Sequence, residues 1–184
     1  WEGDVWQFST LEYFVVDDFE SYNDINEGEE GSNRIYLTWL DGYDDPANGS
    51  QVGYDDLPLA EQVIVHSGRQ SMPLSYNNTG GVNNSEATRT FSTAQDWTRA
   101  GIKTLTLYVY GQADNVGGQL YLKVNGVEKA VDVDFTTESW QEVNIELASF
   151  GVDLQRVTSL AISIQGAGSG MLLIDDILVG APLE

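Results

Sequence analysis

The feature that most constrains this chain is a period-two alternation of apolar and polar residues, repeated in short runs. Leu105, Leu107 and Val109 alternate with Thr104, Thr106, Tyr108 and Tyr110. Leu120, Leu122 and Val124 alternate with Tyr121 and Lys123, and the same pattern returns at Val143, Ile145, Leu147 and at Leu160, Ile162, Ile164. Side chains on an extended strand point to opposite faces in turn, so each run describes a strand with one buried face. Turn signals separate the runs: Gly117-Gly118, Asn125-Gly126 and the stretch from Gly166 to Gly170. Asn125-Gly126, between Val124 and Val127, predicts a tight hairpin because both residues tolerate positive φ. Leu147 to Leu154 alone offers a helical turn. The expectation is an all-β chain, with two antiparallel sheets packed face to face.

At 184 residues with 41% hydrophobic content, the chain suits one domain with a real core. No run reaches the roughly 18 apolar residues needed to cross a bilayer. Twenty-nine Asp and Glu against eight Lys and Arg leave a net charge of −21. That charge repels phosphate backbones and anionic lipid surfaces, so neither nucleic acid nor membrane is expected as a partner. It suits a secreted or cell-surface protein in a calcium-rich medium. Cysteine is absent, which removes disulfides, thiolate metal sites and thiol nucleophiles. The one histidine, His66, leaves little for a catalytic triad. Neither a G-x-S-x-G elbow nor a phosphate-cradling glycine loop is present.

The segment 1–12, containing Trp6 and Phe8 on one face, reads as a terminal strand of a preceding fibronectin type III-like domain or a linker, or else as an ordinary first strand. Residues 13–184 form the main body. Residues 23–62 are a long irregular region rich in Gly, Asn, Asp and Tyr, and a loop of that length is usually functional or pinned. Val15-Val16-Asp17-Asp18-Phe19-Glu20 opens the body and Leu173-Ile174-Asp175-Asp176-Ile177 closes it. First and last strands are often neighbours in a sandwich, which would bring Glu20 near Asp175. Carboxylates beside buried strands need a partner, and a hard dication with oxygen ligands supplies one. The alternative is that these acids cap strand ends in water.

Asp18-Phe19-Glu20, Gly68-Arg69-Gln70-Ser71, Asp96-Trp97 and Ile174-Asp175-Asp176-Ile177, in this order, resemble the galactose-binding-like jelly rolls. That group includes many carbohydrate-binding modules of secreted glycoside hydrolases and lyases. D-F-E-S-Y-N-D, W-L-D-G, N-G-S, S-M-P-L-x-Y, S-E-A and D-W-T resemble, more narrowly, a module of large secreted planctomycete-type bacterial proteins. The resemblance spans about residues 14 to 180. It implies a jelly-roll β-sandwich holding structural calcium through Glu20, Asp175 and backbone oxygens near Arg69, with Asp18 and Asp176 as second choices. It also implies a polysaccharide or oligosaccharide ligand, a neighbouring catalytic domain in the same polypeptide, and a monomer.

Sugar binding needs aromatic faces and planar polar groups on one patch. Trp39, Asp41 and Tyr43 of the long loop, facing Tyr76, Asn78, Glu86 and Arg89, are the first set. Tyr54 also lies in that loop region. Tyr108, Tyr110 and Tyr121 with Lys123, read as one outward stripe, are the rival set. Trp97 and Trp140 read as core or edge packing. Two further readings stay open: a calcium-stiffened adhesion or spacer module without a sugar site, and a small lyase or glycosidase using Glu86 with Asp41.

Overall fold

The computed structural model describes residues 13–181. The segment 1–12, with its reading as a remnant strand, lies outside the described residues. The described chain is almost wholly β: β1 (Tyr13–Asp17), β2 (Trp39–Leu40), β3 (Ser50–Val52), β4 (Met72–Asn78), β5 (Asn84–Gln95), β6 (Thr104–Tyr110), β7 (Val116–Val124), β8 (Val127–Val131), β9 (Trp140–Glu146) and β10 (Val157–Gly180). One helical turn at Ile35–Thr38 and short 3₁₀ turns at Arg99–Gly101 and Leu147–Phe150 complete it. The expected hairpin is present: Val124 faces Val127, with Asn125 at φ 49° and Gly126 at φ 79°. Two consecutive left-handed residues match the right-handed twist of the flanking strands.

All the pairings are antiparallel, and they converge on β10. Its first half lies between β5 and β7, with β2 beyond β5 and β8 beyond β7. Its second half lies between β4 and β6, with β3 beyond β4 and β9 beyond β6. Past the end of β4, β1 takes over that edge, with Tyr13 opposite Gly180. First and last strands are therefore neighbours, as expected. The two halves of β10 belong to the two layers of a jelly-roll β-sandwich, and a glycine corner joins them. At Gly170 a Cβ would overlap the Asn115 side chain, and at Gly168 the Val116 carbonyl. Only glycine lets the chain turn there with β7 pressed against it.

The period-two residues fill the space between the layers. Leu105, Leu107, Val109, Leu120, Leu122, Val124, Ile162, Ile164, Leu172 and Ile174 belong to one buried cluster. Each such side chain contributes about 1.5–3 kcal/mol on burial. Trp97 is buried there too, edge-on to Phe91 with ring centroids 6.1 Å apart.

Candidate carbohydrate-binding surface

Alternation decides which side chains reach the outer face of each layer. In the β2-β5-β10-β7-β8 layer, the central strand presents Ala161 and Ser163. They stand beside Thr88 and Glu86 of β5 and beside Lys123 and Tyr121 of β7. Both small side chains are buried beneath the larger ones on either side of β10. The Lys123 ammonium crosses it to Glu86 at 2.7 Å and reaches Glu128 of β8 at 3.5 Å. Partial burial alone would lower the Lys123 pKa, but the two carboxylates outweigh it and raise it, so the ammonium stays charged. Glu86, Lys123 and Glu128 keep 23%, 20% and 47% of their side-chain surface exposed. They are oriented donors and acceptors that water, or a sugar hydroxyl, can still reach.

The long loop docks on the same layer. Asn48 imitates a neighbouring strand: its Oδ1 accepts the Glu86 N–H at 2.8 Å and its Nδ2 donates to the Glu86 carbonyl at 2.9 Å. The Ser50 hydroxyl donates to that carbonyl at 2.7 Å. Asp41 ties the loop from inside, accepting the Val52 and Tyr43 N–H groups at 2.7 and 3.0 Å. Tyr43 is left 88% exposed. Glu86 thus lies on the face that carries Tyr121, whereas Asp41 and Tyr43 lie on the loop docked along the β5 edge.

The other members of the first expected set are corrected by their surroundings. Trp39 is fully buried, its ring 6.1 Å from Phe19 and its Nε1 donating to Asp17 at 2.8 Å, so no ring face is free for a sugar. Arg89 points inward to an ion pair with Asp17. Tyr76 is buried against Phe135, and its hydroxyl donates toward the Gly117 carbonyl at 3.2 Å. Asn78 is buried and donates to the carbonyls of Ile164 and Gly166. All four hold the sandwich together. Tyr54 donates to Glu61 at 2.5 Å within its loop. The rival stripe divides: Tyr121 lies on this layer, whereas Tyr108 and Tyr110 of β6 lie on the other.

Two of the expected calcium ligands, Glu20 and Asp175, contact opposite ends of one loop, residues 64–71. The Glu20 Oε1 accepts the N–H groups of Arg69 and Gln70 at 2.7 and 3.0 Å, and its Oε2 accepts from the Arg69 guanidinium at 3.1 Å. A Cβ at Gly68 would stand 2.5 Å from the Glu20 carboxylate, so glycine lets this contact form. Partial burial would raise the Glu20 pKa; the N–H donors and Arg69 outweigh it and lower it. Arg69 thus meets Glu20 through its N–H and guanidinium, whereas the expectation for a metal was a backbone oxygen near Arg69. Asp18 accepts the Glu20 N–H at 3.2 Å.

At the last strand, a one-residue bulge follows Asp175, with Asp176 at φ 45°. The bulge turns two consecutive acids toward one loop. Asp175 Oδ2 accepts from the His66 and Ser67 N–H groups at 2.8 and 3.3 Å, and Oδ1 accepts the Asp176 N–H. Asp176 binds His66 Nδ1 at 2.6 Å and the Ser67 hydroxyl at 3.0 Å. Asp175 is fully buried, and its carboxyl is pushed up to about 6, chiefly by burial and further by the Asp176 charge, against its N–H donors. The donor chemistry fits a hard cation in part. These are carboxylate oxygens, and no Lys or Arg appears among the ion pairs of Asp175 or Asp176 in the described residues. Yet the loop turns its N–H groups toward Glu20 and Asp175, and no three acidic or imidazole side chains gather in one metal-sized group among those residues.

No protein-family model matches the chain, and no curated protein is recognisably similar to it in sequence. Solved structures share its fold. A family 11 carbohydrate-binding module from Clostridium thermocellum, in complex with a β-1,3-1,4-mixed-linked tetrasaccharide, is 16% identical with a TM-score of 0.53, covering 96% of this chain and 99% of that one. A family 30 carbohydrate-binding module is 16% identical with a TM-score of 0.51, covering 72% of this chain and 82% of that one. An exo-β-agarase is 15% identical with a TM-score of 0.51, covering 64% of this chain. The present chain spans about a fifth of the length of that agarase, 21%. The fold is thus the β-sandwich of carbohydrate-binding modules.

Proposed function

We propose that the chain is a non-catalytic carbohydrate-binding module that holds an attached secreted enzyme at a polysaccharide. The end-to-end match to a module in complex with a tetrasaccharide carries this reading. The outer face of the first half of β10 supports it, because a glycan laid across that face meets the Tyr121 ring and the Glu86–Lys123–Glu128 network. Tyr43 stands exposed on the loop docked along the β5 edge of that layer. Fold-level likeness alone does not decide function, so the site must be tested directly.

Calcium at Glu20 and Asp175 belongs to the same proposal, with Asp18 and Asp176 as further oxygen donors. The buried Asp175 charge favours it. Bound only by the folded chain, the ion would raise stability.

A panel of neutral and charged soluble glycans, titrated in calcium, tests the module. The expected result is binding to a neutral glycan that falls about tenfold in Tyr121→Ala, since aromatic contact contributes about 1 kcal/mol or somewhat more. Absence of binding across the panel leaves a spacer or adhesion module. Product release that disappears in Glu86→Gln would make the chain an enzyme.

A further inference from the structure

We infer that the opposite sheet carries a second site for a neutral glycan, centred on Trp140. This rests on reading the chain as a carbohydrate-binding module. It takes Tyr108 and Tyr110 from the rival expected set and adds Trp140 and Glu142, which lie outside both sets.

Tyr108 and Tyr110 alternate with the buried Leu107 and Val109, so both rings stand on the outer side of β6. Trp140 lies directly opposite Tyr110 in register, and Glu142 directly opposite Tyr108. The Trp140 and Tyr110 rings meet at 63° with centroids 5.5 Å apart. His66 lies flat on Tyr108, centroids 3.5 Å apart and planes 13° apart, and stands at 73° to Trp140 at 5.8 Å. Asp176 holds that imidazole at 2.6 Å, so the ring array is braced from a second element.

These rings pack over Leu173 and Asp175, which lie opposite Tyr110 and Tyr108 and are fully buried, yet they keep surface of their own. Trp140, Tyr108 and Tyr110 lie outside the core cluster and outside the partly buried side chains packed against it. All three are partly buried and keep some surface in water. Aromatic surface left in contact with water by a braced array marks a binding surface.

The chemistry selects the occupant. Aromatic faces accept the C–H side of a pyranose ring, and the Glu142 carboxylate accepts from its hydroxyls. Both fixed charges beside the rings, Glu142 and Asp176, are negative, which repels sulfated, uronic or phosphorylated ligands and leaves a neutral sugar. The two sites lie on the outer faces of opposite layers, so one module can join two polysaccharide chains.

Calorimetric titration of the β-1,3-1,4-mixed-linked tetrasaccharide and of other neutral oligosaccharides tests this, with Tyr121→Ala, Trp140→Ala and the double variant. Two equivalents per chain are expected. Each single variant retains one, the double variant none, and the Trp140 indole NMR signal shifts on titration only while Trp140 is present. Circular dichroism melting confirms that each variant is folded, and Trp140→Phe, which restores an aromatic face, recovers the second equivalent. One equivalent that is lost in Tyr121→Ala and unchanged in Trp140→Ala overturns the second site and leaves the module reading intact. No binding by the parent chain overturns the module reading itself. A dimer in sedimentation that Trp140→Ala converts to monomer assigns the face to a second copy of this chain and likewise overturns the proposal.

Discussion

Asp17 brings a negative charge into the interior and is surrounded by donors. The Tyr22 hydroxyl donates at 2.6 Å, Trp39 Nε1 at 2.8 Å, the Phe19 N–H at 2.9 Å, and Arg89 closes an ion pair. Burial first, and then the Asp17 charge, push the Tyr22 phenol upward, so it remains a donor throughout the ordinary pH range. This knot ties the first strand, the long loop and β5 together. Trp39→Ala removes a wholly buried ring and one of those donors, and should cost about 3–5 kcal/mol in denaturant unfolding. A variant that unfolds like the parent but loses glycan binding would return Trp39 to the binding surface. Glu86→Gln should behave in the opposite way. Its ion pair with Lys123 is partly solvated and contributes roughly 0–1 kcal/mol. Melting should therefore change little while glycan affinity falls several-fold; a variant that melts early with affinity intact would make the pair structural.

Two elements depend on contacts made far along the chain. At the corner of β10, the Asn115 amide donates to the carbonyls of Phe135 and Met171 at 2.8 and 2.7 Å and accepts the Met171 N–H at 2.7 Å. Asn115→Ala leaves three backbone groups unpaired, and the expected loss is about 2–4 kcal/mol, at 1–3 kcal/mol for each group that stays buried without water. Stability equal to that of the parent would show that solvent replaces those bonds. The 64–71 loop is the second element, clasped by Glu20 at one end and Asp175 at the other. With calcium bound there, melting should rise with calcium concentration and fall in chelator, and Asp175→Ala should remove the dependence. Identical melting curves with and without chelator, with metal loss verified, would mean that the hydrogen bonds hold the loop unaided.

On the scale of the whole molecule, −21 charges on 184 residues repel one another in the compact state. Salt screens this over about 10 Å at 0.1 M. The melting temperature should accordingly rise between 10 mM and 0.5 M sodium chloride, and a flat or falling profile would show that local pairs outweigh the net charge. Among the described residues no helix is long and apolar enough to cross a membrane. Strand identity, the Asn125-Gly126 hairpin and the pairing of first with last strand were legible in the sequence, because periodicity and turn chemistry are local and a sandwich brings its chain ends together. The acids at Glu20 and Asp175 were legible as a pair in need of partners. What each acid touches was not, because the loop that presents N–H groups to both lies about 50 residues from one and 110 from the other. Period two says that a side chain leaves a strand on one face or the other, but not which layer the strand joins. Tyr108 and Tyr121 therefore read as one stripe until β6 and β7 took opposite halves of β10. The same ambiguity hid Trp39 and Trp140. Their local patterns do not reveal that the Asp17 knot closes over one indole, while the other is left on the outer side of a sheet whose core lies behind it. Local steric and hydrophobic preference determined the strands and turns; only long-range pairing along β10 decided which rings face water.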